Sequence, residues 1–339
     1  MSLQLKKEVQ EYPNNTIDLQ PTVSVSIVTY NHAAYIKQCL DGILMQQTNF
    51  DFEILLGEDA STDGTREICI KYADKHPSKI RLFLHHRENN IKIGGNPTGR
   101  FNFLFNLSKA RGKYIAICEG DDYWTDPFKL QKQVDVMGKN STISLSTTDL
   151  KVLNSDGITS EYYKPNRPRP KEINNCSDFF GDDRLGPFHT STLLLRKDVV
   201  ITCLSTSAFS TLPYADWIMV YTAAKMGSIH FLNDKTSIYR HHPTSLMRSQ
   251  SSIRNYLNMI DLDTFLSTHL PAPYGNMKFK GTYWYHDQLS YLFAAEGKYG
   301  KTISHFFRGL MIKPVRTPFK SYISHLRNLG YYWKKGLTS

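Results

Sequence analysis

Residues 23–28, VSVSIV, form an uncharged run rich in β-branched side chains, as a strand covered on both faces would read. Directly after it the period changes. Ile36, Cys39, Leu40, Ile43 and Leu44 recur at spacings of three and four between Ala33 and Gln47, which predicts a helix with one apolar stripe. The switch is then repeated, with a strand at Phe52–Leu56, a helix capped by Asp63 with Ile68, Tyr72 and Ala73 on its buried face, and a strand at Ile80–Leu84. A glycine-rich connection, GGNPTG, leads to a helix with Phe101, Leu104, Phe105 and Ser108 inward, followed by a strand at Tyr114–Cys118. A chain that alternates in this way buries its apolar faces as an α/β fold, a mostly parallel twisted sheet with helices on both sides. In such sheets ligands bind where the strands end at their carboxyl edge.

Beyond the fourth strand, Asp126 and Pro127 signal a helix start, with Leu130, Val134 and Met137 on one face. Ile143–Leu145 reads as a strand, and residues 162–175, proline-rich and without period, as a mobile loop. Thr190–Leu195, Ser228–Leu232 and Lys235–Arg240 are expected as short strands around a helix near Asp216–Met226. From Ser251 the pattern is helical: Ile253, Leu257 and Ile260 share a face, and Tyr283–Ala295 and Lys301–Ile312 form a hairpin turned at Glu296-Gly297-Lys298. The expected organisation is an N-terminal extension (1–21), an α/β domain (22–250) and a helical, basic C-terminal region (251–339).

Forty per cent hydrophobic and 21% charged residues place the chain among globular proteins rather than disordered or fibrous ones. Five scattered cysteines, Cys39, Cys69, Cys118, Cys176 and Cys203, contain no CxxC pair for zinc and predict reduced thiols in a cytoplasmic protein. The segment MSLQLKKEVQEYPNN has no apolar run, and no window approaches the roughly 18 apolar residues of a membrane span, so neither a signal peptide nor a spanning helix is expected. The net charge of +10 is unevenly placed. Nine of the 41 Lys and Arg residues and none of the 31 carboxylates follow Glu296, which leaves a net of only +1 for residues 1–296.

Three polar clusters fall at predicted strand ends: Thr29-Tyr30-Asn31, Glu58-Asp59, and Glu119-Gly120-Asp121-Asp122. In a parallel sheet these ends share an edge, where neighbouring carboxylates repel unless a cation or donors compensate. A divalent ion held by one or two carboxylates, its other positions filled by water and phosphate oxygens, is how Mg²⁺ or Mn²⁺ meets a nucleotide diphosphate. Taken alone, Asp121 and Asp122 equally suit the turn into the next helix.

The segments VSIVTYNHAAYI, EILLGEDASTDGT, ARGKYIAICEGDDYWTDPFKLQKQV, YADW and YRHHPTS, in this order across residues 22–245, resemble the family 2 glycosyltransferases, inverting enzymes with a nucleotide-sugar-binding GT-A fold. By this resemblance Thr29, Tyr30 and Asn31 line the base and ribose, and Asp59 accepts from the base, with Glu58 beside it. Glu119-Gly120-Asp121 stands where the family has its DxD motif. The resemblance implies Mn²⁺ or Mg²⁺ on Asp121, Glu119 nearer the ribose or a water, and Asp122 in support. Asp216 matches the catalytic aspartate, although Ala215 precedes it where the family usually has an acid. His242 matches the histidine of the YRxH pattern as a metal or diphosphate contact, whereas His241 reads as a packing residue. His189 and Trp217 fall where relatives meet the acceptor.

The implied activity is transfer of a sugar from a nucleotide diphosphate donor, with a UDP-sugar favoured, to a saccharide or lipid-linked saccharide in surface polysaccharide synthesis. Two other classes compete. Sugar-nucleotide synthesis would want a GxGTR-like signature after the first strand, which is absent. A catalytically silent glycan-binding or scaffolding relative is consistent with Ala215 and Glu119. Separately, the basic tail interleaves its cations with Phe306, Phe307, Phe319, Tyr322, Tyr331, Tyr332 and Trp333, a composition suited to an anionic lipid surface on the inner face of a cell membrane. Packing of those aromatics on the protein is the competing expectation, and without an RNA-binding motif no nucleic-acid partner is expected.

Overall fold

The structure, a computed structural model, describes residues 5–13, 20–93, 95–163, 168–179, 185, 188–242, 251–269, 280–312 and 330. It divides into two compact units, one ending at His242 and the other containing the helices that follow. In the first unit the strands that build and flank the site are β1 (Val23–Thr29), β2 (Phe52–Glu58), β3 (Ile80–Leu84), β4 (Tyr114–Glu119), β5 (Tyr123–Trp124), β6 (Ile143–Leu153), β7 (Leu194–Arg196) and β8 (Ser228–Arg240), with further short strands elsewhere. The helices are α1 (Ile36–Leu44), α2 (Thr65–Lys75), α3 (Arg100–Lys109), α4 (Lys129–Lys139), α5 (Lys197–Leu204), α6 (Ser207–Thr211) and α7 (Ala215–Met226).

The central sheet runs β3-β2-β1-β4-β7-β6-β8. β1, β2, β3 and β4 are parallel, and so are β6 and β8, whereas β7 lies antiparallel between β4 and β6. Val23, Val25 and Ile27 of β1 are fully buried against Ile36, Cys39, Leu40 and Ile43 of α1, so the two opening patterns of the sequence meet as one core. All five cysteines are free thiols, and Cys176 alone among them is only half-buried.

The opposite face is more polar than its pattern suggests. On α3 the inward residues include Asn102 and Asn106, while Ser108, expected inward, is exposed. Asn102 Nδ2 donates to the Gly57 carbonyl (2.8 Å), and Asn106 Nδ2 donates to the Ile27 (2.9 Å) and Leu55 (3.1 Å) carbonyls. These bonds satisfy the two buried Nδ2 groups that a sheet-facing position would otherwise penalise, whereas Asn102 Oδ1 and Asn106 Oδ1 have no hydrogen-bond partner among the described residues. They also require the helix to lie close. A Cβ at Gly57 would stand 1.7 Å from Asn102 Oδ1, so Gly57→Ala should lower unfolding stability by about 1–3 kcal/mol, read from the denaturant midpoint.

Several boundaries differ from expectation. The residue preceding α2 is Gly64, with φ +99°, and Asp63 instead accepts from the Thr65 N–H and hydroxyl. α4 starts at Lys129 rather than at Asp126-Pro127, because Asp126 closes a turn by accepting from the Phe128 N–H (2.9 Å). Residues 228–232 and 235–240 are one strand. β8 stays paired with β6 through register shifts between Leu232 and Ser237, and the exposed Asn233 and Asp234 that read as a turn form a bulge. Within the loop expected at 162–175, Ile173–Asn174 pairs with β8, and Arg169 bridges Asp149 and Asn233.

In the second unit α8 (Ser252–His269), α9 (Lys280–Ala295) and α10 (Tyr299–Ile312) are described. α9 and α10 form the expected hairpin, turned at Gly297 with φ +70°. The buried side of α8 carries Asn258, Leu262, Asp263 and Leu266, not Ile253, Leu257 and Ile260, which are half-buried. Of the basic tail, Lys313, Arg316, Lys320, Arg327, Lys334 and Lys335 lie outside the described residues. Among those described, no helix is long and apolar enough to cross a membrane.

Candidate active site

Parallel register places the ends of β1, β2 and β4 side by side, with Thr29 opposite Glu58 and Val28 opposite Glu119. The loop after β1 turns at Asn31, whose φ of +53° is a left-handed conformation that Asn tolerates better than most residues. It is tied to the loop after β2: the Asn31 N–H donates to Ser61 Oγ (2.9 Å), and Asn31 Oδ1 accepts from the Thr62 N–H (3.0 Å). Thr29 is buried, its Oγ1 3.3 Å from His32 Nδ1. Gly120 is needed where the β4 loop passes them, since a Cβ there would lie 2.7 Å from Thr29 Oγ1 and 3.0 Å from His32 Nδ1.

After β2 the two acids have different surroundings. Glu58 is fully buried, with Oε1 accepting from the Ser61 N–H (2.7 Å) and Oε2 paired with Arg66. Both its oxygens are therefore used to hold the loop. Asp59 is also buried. Its Oδ2 accepts from Arg87 Nη1 (2.6 Å) and Asn90 Nδ2 (3.0 Å), while Oδ1 has no hydrogen-bond partner among the described residues. Burial pushes the Asp59 carboxyl above its usual range despite these donors. The Arg87 guanidinium lies 3.8 Å over the ring of Tyr30, itself partly exposed.

Oxygens of Glu119, Asp121 and Asp122 lie within 4.8 Å of one another. Burial, then the charges of Asp121 and Asp216, raise Glu119 to about 8, opposed by a hydrogen bond from Thr190. Asp121 shifts the other way. Burial would raise it, but a hydrogen bond from His242 Nε2 (2.8 Å) and the positive potential of His32 and His242 hold it below the ordinary value. Asp122 is raised well above its ordinary value by burial and by its two acidic neighbours. Its Oδ1 accepts from the Arg240 N–H (2.9 Å), whereas the buried Oδ2 has no hydrogen-bond partner among the described residues and His189 Nε2 stands 3.8 Å away. The bulged β8 delivers these partners: Arg240 Nε also donates to the Asp121 carbonyl (3.0 Å), and His242 follows two residues later. His189 contacts Ser191 Oγ through Nδ1 (2.8 Å), packs its ring 4.2 Å from Tyr239, and is lowered to about 4 by burial, so it is neutral at pH 7.

Asp216 lies in the first turn of α7, where Tyr214 rather than Asp216 is the capping position. Burial raises its carboxyl to about 6, partly offset by the Trp217 N–H and the charge of Arg100. Arg100 is itself buried and donates to the carbonyls of Phe209 and Pro213, which anchors the segment leading into α7. Trp217 stacks along its own helix on Tyr221, ring centroids 5.7 Å apart. The structure thus gathers Glu119, Asp121, Asp122, His242 and His189, with Asp216 near enough to raise Glu119, beside the edge that carries Asp59, Tyr30 and Asn31. His32, Arg87, Arg100 and Arg240 were not singled out from the sequence. His32 had a cue, since it follows Asn31 in the strand-end cluster, and so had Arg240, the arginine of the YRxH pattern.

The donor set suits a hard divalent cation: three clustered carboxylates, one buried oxygen lacking a hydrogen bond among the described residues, and two acids raised by burial and by their like-charged neighbours. Glu119, Asp121 and Asp122 would hold it, with the His242 imidazole at hand.

A mostly parallel sheet with one antiparallel strand inserted beside β4, and acids gathered at the carboxyl end of that strand, is the GT-A arrangement of nucleotide-sugar-dependent transferases. Residues 24–188 match the family model described as Glycosyl transferase family 2, and this segment belongs to the family 2 glycosyltransferases. It is 31% identical over 229 residues to the uncharacterized protein Mb1547 of Mycobacterium bovis, a match that takes in 67% of this chain and spans 61% of that relative's length. It is 30% identical over 186 residues, 55% of this chain and 61% of the other, to the putative teichuronic acid biosynthesis glycosyltransferase TuaG of Bacillus subtilis. Among solved structures, S. aureus TarS 1–349 in complex with UDP-GlcNAc shares the fold with a TM-score of 0.54 at 16% identity, over 86% of this chain and 82% of that one. The mannosyltransferase PcManGT from Pyrobaculum calidifontis, in complex with GDP-Man and Mn²⁺, does so with a TM-score of 0.50 at 15% identity, over 98% and 91%.

Proposed function

We propose that this chain transfers a sugar, with inversion, from a nucleoside diphosphate sugar to a hydroxyl of a saccharide or lipid-linked saccharide, in the building of a surface polysaccharide. The observation that carries the reading is a carboxyl raised to about 6, Asp216, placed near enough to the acidic cluster to raise Glu119. A base near this range is ionised at neutral pH yet basic enough to take a proton. The acceptor oxygen attacks the anomeric carbon as the bond from that carbon to the diphosphate oxygen breaks, and the hydroxyl proton goes to the Asp216 carboxylate. The products are an inverted glycoside and a nucleoside diphosphate. A divalent ion, when bound, supplies positive charge to the diphosphate.

The chain's own groups do the rest. Asp59 Oδ1 is an acceptor for a ring N–H of the base, and Tyr30 offers a ring face beside it. Arg100 fixes the approach of Asp216, and Asp122 with Arg240 fixes the loop that carries Asp121. The relatives named above include a UDP-GlcNAc complex, a GDP-Man complex and a putative teichuronic acid biosynthesis glycosyltransferase, which supports a nucleotide-sugar donor and a surface-polymer acceptor. A panel of UDP-, dTDP- and GDP-sugars read by thermal unfolding tests this reading. A UDP-sugar at about 100 times its dissociation constant should add about 2.7 kcal/mol of stability, and only with Mn²⁺ or Mg²⁺ present. No stabilisation by any donor would remove the proposal, and stabilisation without release of nucleoside diphosphate on incubation would favour a silent glycan-binding relative.

A further inference from the structure

In α10 the exposed side of the helix is apolar. At about 100° per residue, Ile303, Phe307 and Met311 fall within about 80° of one another, on the side away from the buried Thr302 and Gly309. They are 43%, 57% and 78% exposed. A helix of a soluble unit normally turns polar residues outward, so this one carries its apolar stripe on the wrong side for water. Its charges are as one-sided. Lys301 and Arg308 are exposed along one flank of the stripe, and neither α10 nor the sequence from there to residue 339 contains an Asp or Glu.

We propose that α10 docks on an anionic membrane surface, with Ile303, Phe307 and Met311 entering the headgroup boundary and Lys301 and Arg308 set against lipid phosphates. This places the attachment on an ordered helix of the second unit, and it is independent of the reaction proposed for the first. Apolar burial and cationic attraction are both required of an interfacial helix, and here the apolar stripe is bordered on one flank by the two cations. A second copy of the chain is the weaker occupant. A two-fold contact through this stripe would set the basic flank near its own image with no acid on α10 to offset it.

Flotation of the full chain with phosphatidylcholine vesicles, with and without phosphatidylglycerol, tests the proposal. The chain should float with the anionic vesicles and be released in part by high salt. The double variant Phe307→Ser/Met311→Ser should bind about tenfold more weakly, and Lys301→Gln/Arg308→Gln should bind about tenfold more weakly and lose most of its salt dependence. Phe307→Trp should keep binding, with its fluorescence shifted to the blue on adding anionic vesicles. Unchanged thermal midpoints in the variants would exclude misfolding as the cause. Failure of the natural chain to float, flotation indifferent to Phe307→Ser/Met311→Ser, or no blue shift would each overturn the proposal. So would a concentration-dependent dimer that Phe307→Ser abolishes.

Discussion

Asp216→Asn is expected to lower turnover by at least about two orders of magnitude while leaving donor binding near its original strength. General base assistance typically supplies roughly 10²- to 10⁴-fold in rate, and asparagine keeps the shape of the side chain while removing its basic oxygen. The pH profile gives an independent reading. Because Asp216 sits near 6, its carboxylate is protonated below that pH, so turnover should rise as pH increases through about 6 and level off above it. The residual activity of Asp216→Asn should lack this limb. A variant whose turnover stays within a few-fold of the original, or whose profile keeps the limb, would show that the proton goes elsewhere. Arg100 enters the same expectation, since its charge opposes the rise caused by burial and its two bonds to carbonyls hold the approach to α7.

The parts of the fold that were legible in the sequence are those where burial alone decides the residue type. β1 and the stripe of α1 could be read because Val23, Val25, Ile27, Ile36, Cys39, Leu40 and Ile43 answer only to being dry. α3 was misread in part because Asn102 and Asn106 are inward for a reason no periodicity carries: their amides donate to strand carbonyls. β8 was split in two because Asn233-Asp234 has the chemistry of a turn, whereas pairing with β6 across a bulge keeps the strand whole. α8 shows the limit of an apolar count. Its buried side includes Asp263, which accepts from Thr282 Oγ1 (2.7 Å), and such a pairing is invisible until the partner helix is in place.

The same logic separates the site residues. Strand-end acids were legible because a parallel sheet must bring such ends to one edge. Their roles were not, since Glu58 and Asp59 are neighbours in sequence and differ only in partners: Arg66 and Ser61 occupy both oxygens of the first, while the second keeps one oxygen without a hydrogen-bond partner among the described residues. Arg87 and Arg100 had no spacing signature, because what they touch lies 28 and 109 residues away.

Asp121→Ala should reduce metal-dependent nucleotide binding by more than any other single change at the acidic cluster. Asp121 is the one member of that cluster held below its ordinary value, and so the one that offers a full negative charge at neutral pH, while Glu119 and Asp122 are both raised. The difference comes from His242, whose Nε2 stands 2.8 Å from Asp121 Oδ2, with His32 Nε2 at 3.9 Å. Loss of a group that orients a metal-binding side chain typically lowers metal affinity by about 10- to 100-fold, which is the expected effect of His242→Ala, and loss of the carboxylate itself should exceed it. Calorimetric titration of UDP with and without Mn²⁺ separates the contributions. Asp121→Ala should remove the difference between the two titrations, and His242→Ala should shrink it, while the metal-free affinity stays the same in both. If Asp121→Ala retained the full Mn²⁺ enhancement, the ion would have to be held by Glu119 and Asp122, the two acids that their surroundings drive toward the neutral form.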